Sequence, residues 1–133
     1  MKYLGIDFGL RHVGLALADG SLAEPLGEKN YSNLEELFNY LKRLGDEQEI
    51  DKIIIGLPEG KLAETVKKFG SDLTSLTNKE VIYQDETLSS QEAKNKLIEA
   101  GAPQVKRRLD HQAAAALILQ EYLDSLITHS IIR

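Results

Sequence analysis

The chain has no cysteine, which excludes disulfides, thiolate metal sites and a cysteine nucleophile. That absence suits a reducing compartment, so a cytoplasmic location is expected. Histidine is scarce as well, with only His12, His111 and His129 present. Any metal would therefore be held mainly by oxygen ligands, which points to magnesium or manganese rather than zinc. No apolar run is long enough to cross a membrane, and the start carries no signal-peptide pattern. Linkers rich in Gly, Ser or Pro, internal repeats and low-complexity tracts are also missing. The 133 residues suit one domain, 1–133, large enough to bury a core without staples. A net charge of −5 argues against coating nucleic acid by bulk charge. It leaves room for an acidic metal site beside a local basic patch.

The most informative stretch is Tyr3-Leu4-Gly5-Ile6-Asp7-Phe8-Gly9. Tyr3, Leu4 and Ile6 read as a buried strand that ends at a carboxylate flanked by glycines. Phe8 to His12 makes a tight connection, and Val13 to Ala18 a second strand. Leu22 to Leu26 is a weaker third strand, and Pro25 suits it only to a sheet edge. Ser32 and Glu35 form a capping-box pattern ahead of a helix carrying Leu34, Leu37, Phe38, Leu41 and Leu44. Gly45 is expected to interrupt or end that helix.

Lys52 to Gly56 is a strand with no polar face, implying cover on both sides of the sheet. A helix then carries Leu62, Val66, Phe69, Leu73 and Leu76, and Glu80 to Gln84 is the fifth strand. Ser89 and Glu92 open another helix running to Gly101, and a last one is expected from near Asp110 through Ala113, Ala114, Leu117, Ile118 and Tyr122. Two or three adjacent strands followed by alternating helices and strands predict an α/β domain. Its front is an antiparallel meander, with parallel strands behind.

Three carboxylates fall where such a sheet collects ligands, outside the carboxyl ends of its strands. Asp7 ends the first strand, Glu86 follows the fifth, and Asp110 stands near the start of the last helix. Each has a plain alternative. Asp7 could be a turn residue bonded to its own backbone, Glu86 could solvate a strand exit, and Asp110 could cap a helix. Together, three convergent carboxylates repel one another, and a divalent ion would relieve that cost. For cations, Arg11 follows the loop after Asp7, and Lys106-Arg107-Arg108 immediately precedes Asp110's neighbourhood. The plain alternative for the basic run is a solvated loop that balances nearby acids.

Gly5-Ile6-Asp7-Phe8-Gly9 with Arg11, Val13 and Gly14 resembles the opening signature of the YqgF family, in the RNase H-like superfamily. Ile55-Gly56-Leu57-Pro58, Asp85 to Ser90, and Asp110 with Ala113-Ala114 and Ile118-Leu119 match its later motifs in order. The resemblance covers nearly the whole chain. It implies a five-stranded mixed sheet flanked by helices, with Asp7, Glu86 and Asp110 as catalytic and metal-holding residues. The family is described as Holliday junction resolvases and as nucleases of the pre-16S ribosomal RNA end. Partners implied are structured RNA or branched DNA, ribosomal precursor particles and a second copy of the chain. The implied chemistry is phosphodiester hydrolysis assisted by Mg2+ or Mn2+, with no side chain required as base. His12 and His111 are not needed for that role.

Two departures stand out. Thr87 occupies the place where the family usually carries arginine, and the loop after Pro58 is shorter than usual. Neither removes an expected metal ligand. Two other classes remain open: a non-catalytic module bound to nucleic acid or ribosomes, and a phosphate hairpin like that of actin-like sugar kinases. The second needs two domains to enclose a nucleotide.

Overall fold

A computed structural model describes residues 1–86 and 104–132, except for side chains at 104–110 and 128–132. In chain order its elements are β1 (Lys2–Phe8), β2 (His12–Asp19), β3 (Ala23–Asn30) and α1 (Leu34–Glu47). There follow β4 (Lys52–Leu57), α2 (Lys61–Thr77), β5 (Glu80–Asp85) and α3 (Gln104–Ile132). The five strands form one sheet in the order β3-β2-β1-β4-β5. β1, β2 and β3 pair antiparallel, whereas β4 and β5 run parallel to β1. This is the mixed sheet that the sequence predicts. The helix expected from Ser89 to Gly101 lies outside the described residues.

Strand alternation divides the sheet into two unlike faces. Leu4, Ile6, Val13, Leu15, Ile53 and Ile55 are buried in one core together with Leu37, Leu41, Val66, Phe69 and Leu73 from α1 and α2. Full burial of each such side chain contributes about 1.5–3 kcal/mol. Tyr3, Ala16, Ala18 and Ile54 point the other way, against Ala115, Ile118, Leu119, Tyr122 and Leu123 of α3.

The α3 face is built of small residues for a steric reason. A Cβ added at Gly14 would lie 2.0 Å from the His111 carbonyl oxygen. One at Gly5 would lie 2.9 Å from Leu119 Cβ and 3.0 Å from the Ala115 carbonyl oxygen. The helix backbone thus rests directly on the sheet. Gln120 fixes its lateral position by accepting from the Ala23 backbone N–H and donating to the Ser21 carbonyl, each at 2.9 Å.

Several local expectations change. β3 extends to Asn30, and Pro25 is accommodated where the β2–β3 register shifts between Leu15 and Ala16; an edge strand with a bulge tolerates a residue lacking N–H. The capping pair is Asn33 and Glu36, not Ser32 and Glu35. Asn33 Oδ1 accepts from the Glu36 N–H at 2.9 Å, and Glu36 accepts from the Ser32 N–H at 3.2 Å. Gly45 neither breaks nor ends α1; it is buried within the helix, under the Lys79 side chain. The last helix starts at Gln104 rather than near Asp110, and its buried stripe uses Ala114, Ala115 and Leu119, leaving Leu117 exposed.

Gly14→Ala should lower unfolding free energy by at least about 1–3 kcal/mol, since a carbonyl of the helix backbone cannot rotate away as a side chain can. Urea titration of the two proteins measures it. A second expectation concerns pH. Burial raises the hydroxyl pKa of Tyr31, Tyr83 and Tyr122 above 10.0. The folded state then holds these protons more tightly, so their contribution is intact below the unfolded value and is lost as pH rises through the folded one. Melting temperature should therefore fall above about pH 10, and less steeply in Tyr31→Phe.

Candidate active site

Asp7 stands one residue before the end of β1, on the α3 face, and is 3% exposed. A buried carboxylate needs charge or hydrogen-bond compensation. His111 supplies part of it, with Nδ1 3.2 Å from Asp7 Oδ2. The approach depends on Gly14, which pairs with Asp7 across β1 and β2 and lies beneath the His111 carbonyl. One glycine therefore both admits the helix and delivers its histidine to the carboxylate.

The turn after Asp7 is held from the opposite side. Tyr31 donates its backbone N–H to the Arg11 carbonyl at 3.0 Å and its hydroxyl to the Gly9 carbonyl at 2.5 Å. Its ring stacks on Phe8 with centroids 6.5 Å apart. These contacts fix the backbone of Gly9 to Arg11, and Arg11 is exposed.

Glu86 directly follows β5, and its backbone N–H donates to the Leu57 carbonyl at 3.1 Å. Continuing the β1–β4 register past Ile6 and Ile55 sets Asp7 beside Gly56, about one strand spacing (about 4.8 Å) away. A Cβ on Gly56 would meet Glu86 Cγ at 3.5 Å. The Glu86 stem therefore leans over the position neighbouring Asp7, and glycine at 56 leaves it room. Asp7 and the Glu86 stem, far apart in sequence, thus both neighbour Gly56 at one end of the sheet.

Asp110 lies within α3, one residue ahead of His111, rather than at a helix cap. Lys106, Arg107 and Arg108 belong to the same helix, not to a loop. The side chains of all four, and Thr87 altogether, lie outside the described residues. Among the described residues no three His, Cys, Asp or Glu side chains converge as a metal cluster. The pair Asp7 and Glu86, with a glycine cradle between them, is an oxygen-donor set of the type that magnesium and manganese take.

Residues 1–125 match the model of a family described as RuvX, Holliday junction resolvase. The chain belongs to this family. It is the same family as the YqgF resemblance of the sequence motifs. Relatives from Agathobacter rectalis and Syntrophus aciditrophicus are 35% and 37% identical to it. Each alignment covers 95% of the chain, with 96% and 90% of the respective relative. Both carry the description "Putative pre-16S rRNA nuclease". Among solved structures, the chain is similar to the Fowlpox virus resolvase bound to Holliday junction DNA at 15% identity and a TM-score of 0.63, covering 95% of this chain and 99% of that one. It is also similar to T. thermophilus RuvC with a Holliday junction, at 15% identity and a TM-score of 0.61, covering 96% of each chain. At that identity these likenesses establish the fold, which is RNase H-like.

His111 is the residue that sequence reasoning set aside as not needed for the chemistry. Its spacing from Gly14 in the chain gives no hint of contact, although the small residue was a signal that something packs closely there. Tyr31 was equally invisible, being outside every motif. Tyr31→Phe keeps the ring stack and deletes one donor. It should cost about 1 kcal/mol of stability and increase amide exchange at Leu10 and Arg11, as hydrogen-exchange mass spectrometry would show.

Proposed function

We propose that this RuvX-family chain is a divalent-metal-dependent nuclease that hydrolyses phosphodiester bonds in structured nucleic acid, trimming the 5′ end of pre-16S ribosomal RNA. The observation that carries this reading is the buried Asp7 carboxylate at the sheet edge, flanked by Gly14 and Gly56 and overlooked by Glu86. The description of the relatives supports the RNA substrate.

Asp7, Glu86 and Asp110 would hold Mg2+ or Mn2+, which supplies Lewis acidity at the scissile phosphate and neutralises its charge. The protein's own work is positioning. His111 orients the Asp7 carboxylate from below, and the Tyr31-braced turn presents Arg11 to a non-bridging phosphate oxygen. Lys106, Arg107 and Arg108 offer further cationic contacts to the backbone. Water adds to phosphorus and the P–O bond to the leaving ribose oxygen breaks, with one strand released at a phosphate and the other at a hydroxyl. Binding through phosphates makes affinity fall steeply with salt.

The description of the matching family favours a second reading, cleavage of a four-way DNA junction. A two-fold junction would call for a symmetric pair of chains. Incubating the protein with precursor rRNA and with a four-way junction, each with Mg2+ or Mn2+, separates the two. Asp7→Asn and Glu86→Gln should reduce cleavage about a hundredfold or more while keeping the fold. Salt-sensitive binding with no cleavage by the wild type, or equal cleavage by Asp7→Asn, would leave only a non-catalytic module.

A further inference from the structure

Glu28 belongs to none of the sequence motifs, yet its carboxylate is buried at the Asp7 end of the sheet, with the side chain 8% exposed. The β2–β3 register sets Glu28 opposite Gly14 and Asn30 opposite His12, and Gly14 in turn faces Asp7 across β1 and β2. His12, Glu28 and Asn30 therefore share the α3 face with Asp7. Two residues before Gly14, His12 is the diagonal cross-strand neighbour of Asp7, about 7–8 Å away between Cα atoms.

Two acceptors hold the His12 ring from one side. Nδ1 donates to Asn30 Oδ1 and lies 3.6 Å from Glu28 Oε1. A carboxylate and an amide oxygen only accept, so both assign a proton to Nδ1. A buried carboxylate needs a counter-charge, and the imidazolium form of His12 supplies it from within ion-pairing distance. In that form Nε2 is a donor as well. Nε2 has no hydrogen-bond or ion-pair partner among the described residues, and the His12 side chain is 38% exposed. Arg11 precedes it in the chain, and Lys106, Arg107 and Arg108 lie within about one and a half turns of His111 on α3.

We propose that His12 is a phosphate contact of the bound strand, its Nε2–H donating to a non-bridging oxygen, with Glu28 and Asn30 as its positioning residues. A cationic N–H facing an anionic oxygen makes a charge-assisted hydrogen bond. Its separation from Asp7 assigns His12 to a phosphate beside the scissile one rather than to the scissile phosphate itself. Because the contact is to the backbone, it carries no sequence preference and serves RNA and DNA strands alike. The inference rests on the proposed nucleic-acid substrate, but not on its cleavage.

Anisotropy of fluorescein-labelled single-stranded RNA and DNA, titrated without divalent ions over a series of salt concentrations, tests it on binding alone. His12→Gln should weaken binding about tenfold and flatten the slope of log K against log salt by about 0.7, the value for one phosphate on a single strand. His12→Arg keeps a charged donor and should restore both. Glu28→Gln should flatten the slope likewise, and the His12→Gln/Glu28→Gln double variant no further, since Glu28 acts through His12. A neutral methylphosphonate moved along successive linkages should cost the wild type affinity at one linkage where it costs His12→Gln nothing. Should Glu28→Gln fail to fold, the two His12 variants and the methylphosphonate series carry the comparison. A His12→Gln protein with a lower melting temperature but an unchanged salt slope, a loss that His12→Arg does not restore, or identical methylphosphonate losses in both proteins would each overturn the contact. Wild type that shows no salt-sensitive binding would overturn it together with the nucleic-acid reading. The expected slopes without any cleavage in Mg2+ or Mn2+ would sustain the contact and sink the nuclease alone.

Discussion

The packing distance between α3 and the sheet governs the rest of this molecule. Backbone of the helix meets backbone of the sheet at Gly14, with no side chain between them. Interiors are close-packed and tolerate little change in volume, so that distance is set by atoms that cannot rearrange. Because His111 is both the residue resting on Gly14 and the one facing Asp7, the same contact fixes the geometry of the acidic edge. Stability and the setting of the Asp7 carboxylate are thus tied to one place.

The two faces of the sheet divide the labour. The α1–α2 side is a conventional apolar core of branched residues and stacked rings, including Phe8 against Phe69 at 4.4 Å. The α3 side gives up apolar volume to glycine and alanine, and gains a place where polar groups approach one another. Asp7, Glu28 and the Glu86 stem all lie on it. A run of acidic groups on one face is electrostatically unfavourable in isolation. Under the nuclease reading proposed above, a divalent cation bound at Asp7 and Glu86 would offset that repulsion.

Most of the framework was readable without coordinates. The all-apolar Ile53-Ile54-Ile55 run announces a strand covered on both sides, and both its flanks are in fact covered. Spacing of Leu37 and Leu41, and of Val66, Phe69 and Leu73, gave the inner faces of α1 and α2 correctly. Boundaries were less secure. Ser32 and Asn33 are both good caps, and only the backbone hydrogen bonds decide for Asn33. Gly45 reads as a stop by propensity, but the space under Lys79 makes a glycine useful inside the helix. On α3 the apolar residues run almost continuously, so periodicity alone left the buried stripe ambiguous and placed it one position off.

Composition and motif order by themselves determined the class of fold, the family, and the acidic residues of interest, because hydrophobic period and residue chemistry are local properties. Asp7 and Glu86 could be named from the chain as strand-end carboxylates. What only the tertiary structure decided were the partners: His111 beneath Asp7, Tyr31 bracing the Gly9–Arg11 turn, and Glu28 buried against His12. Such pairings join residues 104, 22 and 16 positions apart. They follow from strand register and helix depth, which arise from the packing of the whole sheet and are written in no single segment.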